Sequence, residues 1–231
     1  AISEYVMSAI LARHVPLADA DAHLRKGDWR YWAGALDRVH GEIAGKTIGL
    51  LGFGHIGKAI AARAKAFEMR VHVANRSAVP IAGPVDRAFR LDQLADFWST
   101  ADFIVVSVPL TPQTVGIVGK AAFAAMRPGA VIINVGRGPT VDEPALYEAL
   151  QQQRISGAII DTWYTYPSPS AANPHPSMLP FHDLPNVLMT PHMSGWTNGT
   201  IRRRQQTIAD NITRRLTGAP CVNVVRKAIE D

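Results

Sequence analysis

Cysteine is almost absent from this sequence, and so is any long apolar run. The one cysteine, Cys221, cannot form a disulfide within the chain, and such scarcity suits a reducing compartment. No apolar run approaches the roughly 20 residues that a membrane-spanning helix needs, and no signal-peptide pattern opens the chain. We therefore predict a cytoplasmic protein with no membrane partner, and we exclude a disulfide-stapled fold.

Charged residues are also few: they make up 19% of the 231 residues, with a net charge of +5. The apolar share of 47% is enough for the core of an α/β domain and excludes a disordered chain. The densest basic cluster, residues 202–204, lies in a predicted helix and lacks the interleaved aromatic residues of nucleic-acid surfaces. We interpret it as a solvated helix face, so we expect no nucleic-acid partner. We also expect no metal site. The basic field instead favours an anionic cofactor and a carboxylate substrate.

The most informative motif present is a glycine-rich turn between a predicted strand and a predicted helix. Residues 47–51 are apolar, as in a buried parallel strand, and residues 69–74 form a second strand pattern. Between these strands the turn reads Gly52-Phe53-Gly54-His55-Ile56-Gly57, and the helix after it has an apolar face of Ile56, Ala59, Ile60, Ala64 and Phe67. This is the context that the G-x-G-x-x-G dinucleotide fingerprint requires. We predict that residues 52–57 bind a cofactor pyrophosphate at the helix N-terminus, although such turns also occur for the chain path alone.

The residues that close the second strand distinguish between the two nicotinamide cofactors. NAD-binding folds place a carboxylate there to hold the adenosine ribose, whereas this chain has Asn75, Arg76 and Ser77. No negative charge remains to repel a 2′-phosphate, and a guanidinium and a hydroxyl are available to bind one. These residues favour NADP. The alternative is that Arg76 is an ordinary turn residue and that Asn75 binds the ribose of NAD as a neutral group.

Strand and helix patterns alternate along the rest of the chain. Further strands are predicted near residues 84–89, 102–109, 130–134, 155–160 and 186–189, and further helices at 2–14, 17–25, 91–98, 143–152 and 199–216. This alternation predicts the α/β class, with a doubly wound parallel sheet of the Rossmann type. We assign residues 1–218 to this dinucleotide-binding domain and residues 219–231 to a C-terminal tail.

Four segments at predicted strand ends make the chain resemble the D-isomer-specific 2-hydroxyacid dehydrogenase family, which includes the formate dehydrogenases. They are residues 108–114, 134–138, 161–163 and 191–195. The resemblance implies that Arg137 grips the substrate carboxylate and carbonyl, that His192 is the acid/base, and that Asp161 contacts the nicotinamide side of the cofactor. It places the remaining cofactor contacts at Val108, Pro109, Thr114, Val135, Gly136, Arg137, Asp161, His192, Ser194 and Gly195.

The roles of Arg137 and His192 agree with the chemistry of their side chains. Hydride transfer to a 2-oxo acid needs a planar cation for two-pronged binding of a carboxylate, which Arg137 provides better than a lysine would. The reaction also needs a proton donor that titrates near neutral pH, and histidine is the usual one. The alternatives are an ion pair inside the fold for Arg137 and a purely structural histidine at position 192.

One departure from the family pattern concerns the partner of His192. Most members have a glutamate five residues after the strand-ending aspartate, where it hydrogen-bonds the histidine and stabilises its charged form, but this chain has Tyr166. Formate dehydrogenases also lack that glutamate, and release of CO2 from formate needs no proton acceptor. The alternatives are that Asp183 or another chain supplies the carboxylate. We predict an NADP- or NAD-dependent oxidoreductase of small 2-hydroxy acids, or alternatively formate-type chemistry or a catalytically retired regulatory module.

A second departure concerns the start of the chain. The family places a substrate-binding domain before the first helix, so we expect these residues to be the cofactor domain of a longer enzyme, with its tail returning toward that absent domain. A naturally shortened protein is the alternative. We also predict a homodimer, because the first helix has an apolar face and Trp29, Tyr31 and Trp32 form an aromatic group outside the predicted elements. Packing of these residues within the chain is the alternative to the dimer.

Overall fold

The computed structural model describes residues 1–34 and 36–224, and they form two compact units. The larger unit is Ile2–Ser194, and the smaller one comprises Ala1 and the chain from Gly195 onward. The elements run α1 (Ile2–His14), α2 (Leu17–Leu24), β1 (Thr47–Leu51), α3 (His55–Ala66), β2 (Arg70–Ala74), β3 (Arg87–Phe89), α4 (Leu94–Trp98), β4 (Phe103–Val106), α5 (Lys120–Ala125), β5 (Val131–Asn134), α6 (Glu143–Gln151), β6 (Gly157–Ile160), β7 (Val187–Met189) and α7 (Asn198–Leu216). Short 3-10 turns lie at Leu36–Arg38, Leu91–Gln93, Gly138–Thr140 and Phe181–Asp183.

The larger unit is built on a parallel sheet, which among the described residues has the strand order β3-β2-β1-β4-β5-β6-β7. Every pairing between neighbouring strands is parallel. The order reverses direction between β1 and β4, as in doubly wound folds. The predicted fold class is therefore confirmed. The central strands are buried along their whole length, which explains why they appear in the sequence as continuous apolar runs.

The two faces of the sheet carry different helices, and the side chains of each strand alternate between them. Ile104 and Val106 of β4 join an apolar cluster with α4, α5 and α6, whereas Phe103 and Val105 join a cluster with α1 and α3. This alternation follows from the two-residue repeat of a strand. Because both faces are covered, the polar ends of the strands are left as the places where side chains meet ligands.

The buried face of α3 differs from the predicted one. The residues it buries are Gly57, Ile60, Ala61 and Ala64, and the helix ends at Ala66. Phe67 lies beyond the helix with 41% of its surface exposed, so its place on the predicted face is wrong. Ile60 and Ala64 of the predicted face are buried as expected, and Gly57 joins them because it lies too close to the Gly52 carbonyl oxygen to carry a side chain.

The first helix packs within the chain. It buries Ser3, Val6, Met7, Ala9 and Ile10, and its contacts are mainly with α3. The apolar face of α1 therefore packs within the chain, which was the alternative to its use in a dimer interface. The aromatic group of residues 29–32 is different, because Trp29 is 66% exposed and Trp32 is 64% exposed.

The smaller unit contains α7, whose basic residues at 202–204 are exposed, as expected for a solvated helix face. The Thr197 side chain caps the helix by accepting the Thr200 N–H. The Asn211 amide holds the following segment by bonding both backbone groups of Val222. Of the predicted tail, residues 225–231 lie outside the described residues, so the domain boundary stays a prediction. No helix among those described is long and apolar enough to cross a membrane.

Candidate functional site

The predicted cofactor residues begin at the carboxyl end of β1. Gly52 has a φ of +97°, which only glycine adopts without strain, and its N–H donates to the Ala74 carbonyl at the end of β2. A side chain at Gly57 would collide with the Gly52 carbonyl, whereas a Cβ at Gly54 would meet open space. No side chain caps the start of α3, so the first N–H groups of that helix remain available. The turn therefore has the room and the donors that a pyrophosphate needs.

The Asn75 side chain braces this turn from the end of β2. Its Oδ1 accepts the Phe53 N–H at 3.3 Å, and its Nδ2 donates to the Ser77 carbonyl at 2.9 Å. Both polar atoms of the amide are thus used inside the protein. Arg76 and Ser77 are exposed beside it. Asn75 fixes the shape of the loop, and the guanidinium and the hydroxyl beside it are exposed and open to a ligand.

The loop after β4 is closed by one hydroxyl group. Thr114 Oγ1 donates to the Pro109 carbonyl at 2.7 Å and accepts the Thr111 N–H at 2.8 Å. Val108, the residue that leads into this loop, is partly buried against the core of the larger unit. Its carbonyl lies close to the loop after β5, since a Cβ on Gly136 would be 2.8 Å from the Val108 oxygen. The two loops at adjacent strand ends are therefore packed against each other.

Asn134, at the end of β5, organises the turn that presents Arg137. Its amide accepts the Gly136 N–H at 3.1 Å and donates to the Arg137 carbonyl at 3.0 Å. Val135 and Gly136 are buried, whereas Arg137 is exposed. The Arg137 guanidinium bonds the Gly136 carbonyl at 2.7 Å and forms no ion pair with any residue that the structure describes. A cation without a carboxylate partner at this edge is able to bind an anion from solution.

Asp161, at the end of β6, is fully buried and holds the turn that carries His192. Its carboxylate accepts the Met193 N–H at 2.8 Å and the Ser194 N–H at 2.9 Å, together with the Thr190 hydroxyl at 2.6 Å. Burial by itself would raise the pKa of Asp161, but the hydrogen bonds from Ser194 and Thr190 outweigh it and hold that pKa below its usual range. Asp161 is therefore an ionised anchor for the turn.

His192 meets Tyr166 within this turn. Tyr166 Oη lies 3.0 Å from His192 Nδ1, and the same oxygen accepts the Trp163 backbone N–H at 3.0 Å. Either atom of this pair can be the donor, because the phenol oxygen can accept a second hydrogen bond and the role of Nδ1 depends on the tautomer. The phenol, unlike a carboxylate, brings no formal charge to the imidazole.

The structure does not place Asp183 beside His192, whereas the alternative that another chain supplies the carboxylate stays a prediction. Asp183 lies 3.7 Å from the ring of His182 instead, and the only hydrogen bond to the His192 ring from the residues described comes from Tyr166. Nor do the described residues contain a group of three or more metal-binding side chains that could hold an ion. The site therefore offers a cation, an imidazole hydrogen-bonded to a phenol, and backbone donors.

Ser194 is buried in the larger unit, and Gly195, the last of the predicted contacts, begins the smaller unit. Two residues that shape the site have no role assigned to them in the sequence prediction. Thr190 contributes its hydroxyl to Asp161, and its carbonyl accepts the Trp163 indole N–H at 2.8 Å. The available signal for Thr190 was its place directly before Pro191 and His192, because a hydroxyl next to a proline turn commonly bonds locally. Trp163 belongs to the predicted segment 161–163, and its side chain is buried.

The fold and the glycine turn define a Rossmann-type domain for a nicotinamide dinucleotide. The family model for "D-isomer specific 2-hydroxyacid dehydrogenase, NAD binding domain" matches residues 7–194. The chain belongs to this family and contains its NAD(P)-binding domain, as its sequence predicted. The members of the family are NAD-dependent 2-hydroxyacid dehydrogenases.

Relatives of known identity agree with this assignment. The chain is 31% identical to a glyoxylate reductase of Thermococcus gammatolerans over 99% of its own length and 67% of the relative. It is 34% identical to a D-3-phosphoglycerate dehydrogenase of Methanocaldococcus jannaschii, over 97% of this chain and 40% of that one. The chain therefore spans only part of the length of these relatives.

Two solved structures were determined with the phosphorylated cofactor. An acyclic imino acid reductase in complex with NADPH and D-Arg is 29% identical, with a TM-score of 0.80 over 97% of this chain and 67% of that one. The NADPH-dependent glyoxylate/hydroxypyruvate reductase of Sinorhizobium meliloti, with NADP and sulfate, is also 29% identical, with a TM-score of 0.78 and the same coverage of 97% and 67%. Their complexes agree with a nicotinamide dinucleotide as the cofactor of this fold.

Proposed function

We propose that this chain is the cofactor domain of a longer, NADP-dependent oxidoreductase that transfers a hydride between the nicotinamide and a small 2-hydroxy or 2-oxo acid. The observation that carries the proposal is the position of two side chains, Arg137 and His192, in turns that follow strands of one parallel sheet. The guanidinium of Arg137 has no ion-pair partner among the described residues. Strand β1 of the same sheet leads into the dinucleotide turn. An anion clamp, a proton donor and a hydride carrier are the three requirements for reduction of a 2-oxo acid.

Each residue has a separate task in this proposal. Arg137 binds the substrate carboxylate and polarises the carbonyl next to it. In its protonated form His192 gives its Nε2 proton to the oxygen that becomes the hydroxyl and is left as a neutral imidazole, while Tyr166 orients the ring through Nδ1. When it is bound, the cofactor supplies the hydride. Asp161 holds the backbone of the His192 turn, and the alternative role from the family resemblance, contact with the nicotinamide side, is compatible with its position at a strand end.

The preference for NADP is supported by the loop after β2. The amide of Asn75 is held by Phe53 and Ser77, and it carries no negative charge that would repel a 2′-phosphate. The exposed Arg76 and Ser77 supply phosphate donors. The two relatives whose structures contain NADP or NADPH add support. A homologue that binds NAD would be expected to have a carboxylate at one of these positions.

The neutral partner of His192 favours a second candidate function, hydride transfer that requires no proton from the enzyme. A carboxylate beside Nδ1 would stabilise an imidazolium, but Tyr166 brings no charge. Oxidation of formate passes its C–H electron pair to the cofactor and releases CO2 without deprotonation. Reduction of a 2-imino acid in its iminium form moves a hydride to carbon while the C=N electron pair becomes the nitrogen lone pair. In both cases a neutral His192 is sufficient to orient the substrate.

One experiment on the full-length enzyme distinguishes these functions. NADPH consumption is measured with a 2-oxo acid and with the same acid in concentrated ammonia, and NADP reduction is measured with formate. Activity that requires Arg137 on the oxo acid supports the main proposal, and activity confined to formate or to the imine supports the second. Tight NADPH binding with no turnover of any of the three would contradict both and would favour a regulatory module.

We further propose that this domain forms a homodimer in the cytoplasm. An apolar groove of about 880 Å³ lies between α1, α2 and α3, lined in part by Met7, Leu11, Val15 and Phe67. Leu17, which lines the groove, is 75% exposed. The side chains of Trp29 and Trp32 are also largely exposed. Exposed apolar surface of this kind is typical of interfaces. Light scattering at micromolar concentration that gives the mass of one chain, 25.1 kDa, would contradict the dimer.

A further inference from the structure

A row of hydrogen bonds joins the first helix to the turn that carries His192. Tyr5 Oη lies 2.7 Å from Thr190 Oγ1, although the two residues are 185 positions apart. Thr190 Oγ1 lies 2.6 Å from the carboxylate of Asp161, which only accepts. The single proton of Thr190 is therefore used for Asp161, and the Tyr5 hydroxyl must be the donor to Thr190. All the protons in the row point toward the carboxylate.

The His192 turn has a conformation that needs such support. His192 has a φ of +58°, in the left-handed region that a residue with a side chain rarely occupies. Strained positions persist only when their surroundings hold them. Here the surroundings are the two N–H groups after His192, from Met193 and Ser194, which both donate to Asp161. Thr190, two residues before His192, is held by the same carboxylate.

We infer that Tyr5 is a positioning residue for His192. Its hydroxyl fixes the orientation of the Thr190 hydroxyl, which in turn fixes the carboxylate that clamps the backbone after His192. Neighbouring hydrogen bonds in such a row strengthen one another. Burial, together with the charge of Asp161, raises the pKa of Tyr5, so the phenol remains a donor at neutral pH. The functional meaning of the inference rests on the proposed role of His192, whereas the geometry does not.

The test removes only the Tyr5 hydroxyl. In the 231-residue chain, Tyr5→Phe is compared with Tyr31→Phe, which deletes a hydroxyl bonded at 2.8 Å to Asp19. Two quantities are measured by NMR: amide hydrogen exchange at Met193 and Ser194, and the imidazole nitrogen signals of His192. We expect Tyr5→Phe alone to accelerate exchange at the two amides about fivefold, the factor for one hydrogen bond, and to shift the His192 signals.

Two variants of Thr190 test the direction of the row. Thr190→Ser keeps the hydroxyl and is expected to preserve the His192 signals, whereas Thr190→Val removes a donor to Asp161 and should accelerate exchange more than Tyr5→Phe does. In the full-length enzyme, Tyr5→Phe should lower kcat about fivefold with an unchanged KM for NADPH. Unaltered exchange and His192 signals in Tyr5→Phe would overturn the inference. So would a uniform acceleration across the larger unit, because Tyr5 would then stabilise the fold in general. Failure of the unaltered chain to bind NADPH would instead contradict the proposed function.

Discussion

Replacement of Arg76 by alanine is the sharpest test of the cofactor preference. Arg76 is exposed and lies in the loop that Asn75 braces, so its removal should leave the glycine turn intact. A hydrogen bond to a charged group contributes about 1.5–3 kcal/mol, and we take the lower end because solvent screens an exposed guanidinium. A loss of about 1.5 kcal/mol corresponds to a dissociation constant for NADPH that rises roughly tenfold. The constant for NADH, which lacks the 2′-phosphate, should change less than about twofold on this reasoning.

The measurement is a fluorescence titration of the chain with each reduced cofactor, at low and at high salt. Arg204→Ala is the matched control, because it removes the same charge from the exposed face of α7. The control separates a specific phosphate contact from the general basic field. Because salt screens the long-range field more than a close contact, the loss in Arg76→Ala should persist better at high salt than any loss in Arg204→Ala. Equal losses for NADPH and NADH in Arg76→Ala would refute the reasoning. A loss of the same size in Arg204→Ala would refute it as well.

Three other predictions concern buried or catalytic groups. Thr162 Oγ1 is buried without a hydrogen-bond partner among the described residues, so Thr162→Val should raise the free energy of unfolding by about 1 kcal/mol. The control Thr140→Val loses the 2.6 Å hydrogen bond to the Arg137 carbonyl and should lower that free energy. Urea unfolding of both variants measures the two changes. Burial, with Arg87 nearby, lowers the pKa of His72 from 6.5 to about 4. Between pH 6.5 and about pH 4, His72 is therefore protonated in the unfolded chain but not in the folded chain. The free energy of unfolding consequently falls as the pH decreases through that range. At pH 5 the loss is about 2 kcal/mol, so His72→Gln should lose that much less stability than the unaltered chain between pH 7 and pH 5 in denaturant titrations, and equal losses would show that His72 is not the cause. In the full-length enzyme, Tyr166→Glu should extend oxo-acid reduction to higher pH, because a carboxylate at Nδ1 stabilises imidazolium; a rate–pH profile that does not move would contradict the proposed catalytic role of the pair.

Local patterns in the sequence were enough to predict the sheet and the cofactor turn. The central strands β1, β4 and β5 are continuous apolar runs because both of their faces are covered. The alternation of strands and helices along the chain is typical of the doubly wound sheet that the structure shows. The glycine spacing at 52–57 also has a local cause, because a positive φ and a close helix–strand approach each require the missing side chain. The same patterns placed the predicted site residues at strand ends, and parallel strands bring their ends to one edge of the sheet.

Only the tertiary structure decided which side chains meet. Tyr5 and Thr190 are 185 residues apart, and no spacing rule connects a helix at one end of a chain to a turn near the other. The family resemblance placed Tyr166 at the position that contacts His192, but periodicity could not, because the contact crosses an irregular proline-rich loop. On α3 the helical spacing predicted the burial of Ile60 and Ala64 correctly, but it did not show that Gly57 is buried with them or that the helix ends before Phe67. Short-range patterns therefore determined the elements and the cofactor loop, and packing between distant segments determined how the His192 turn is held.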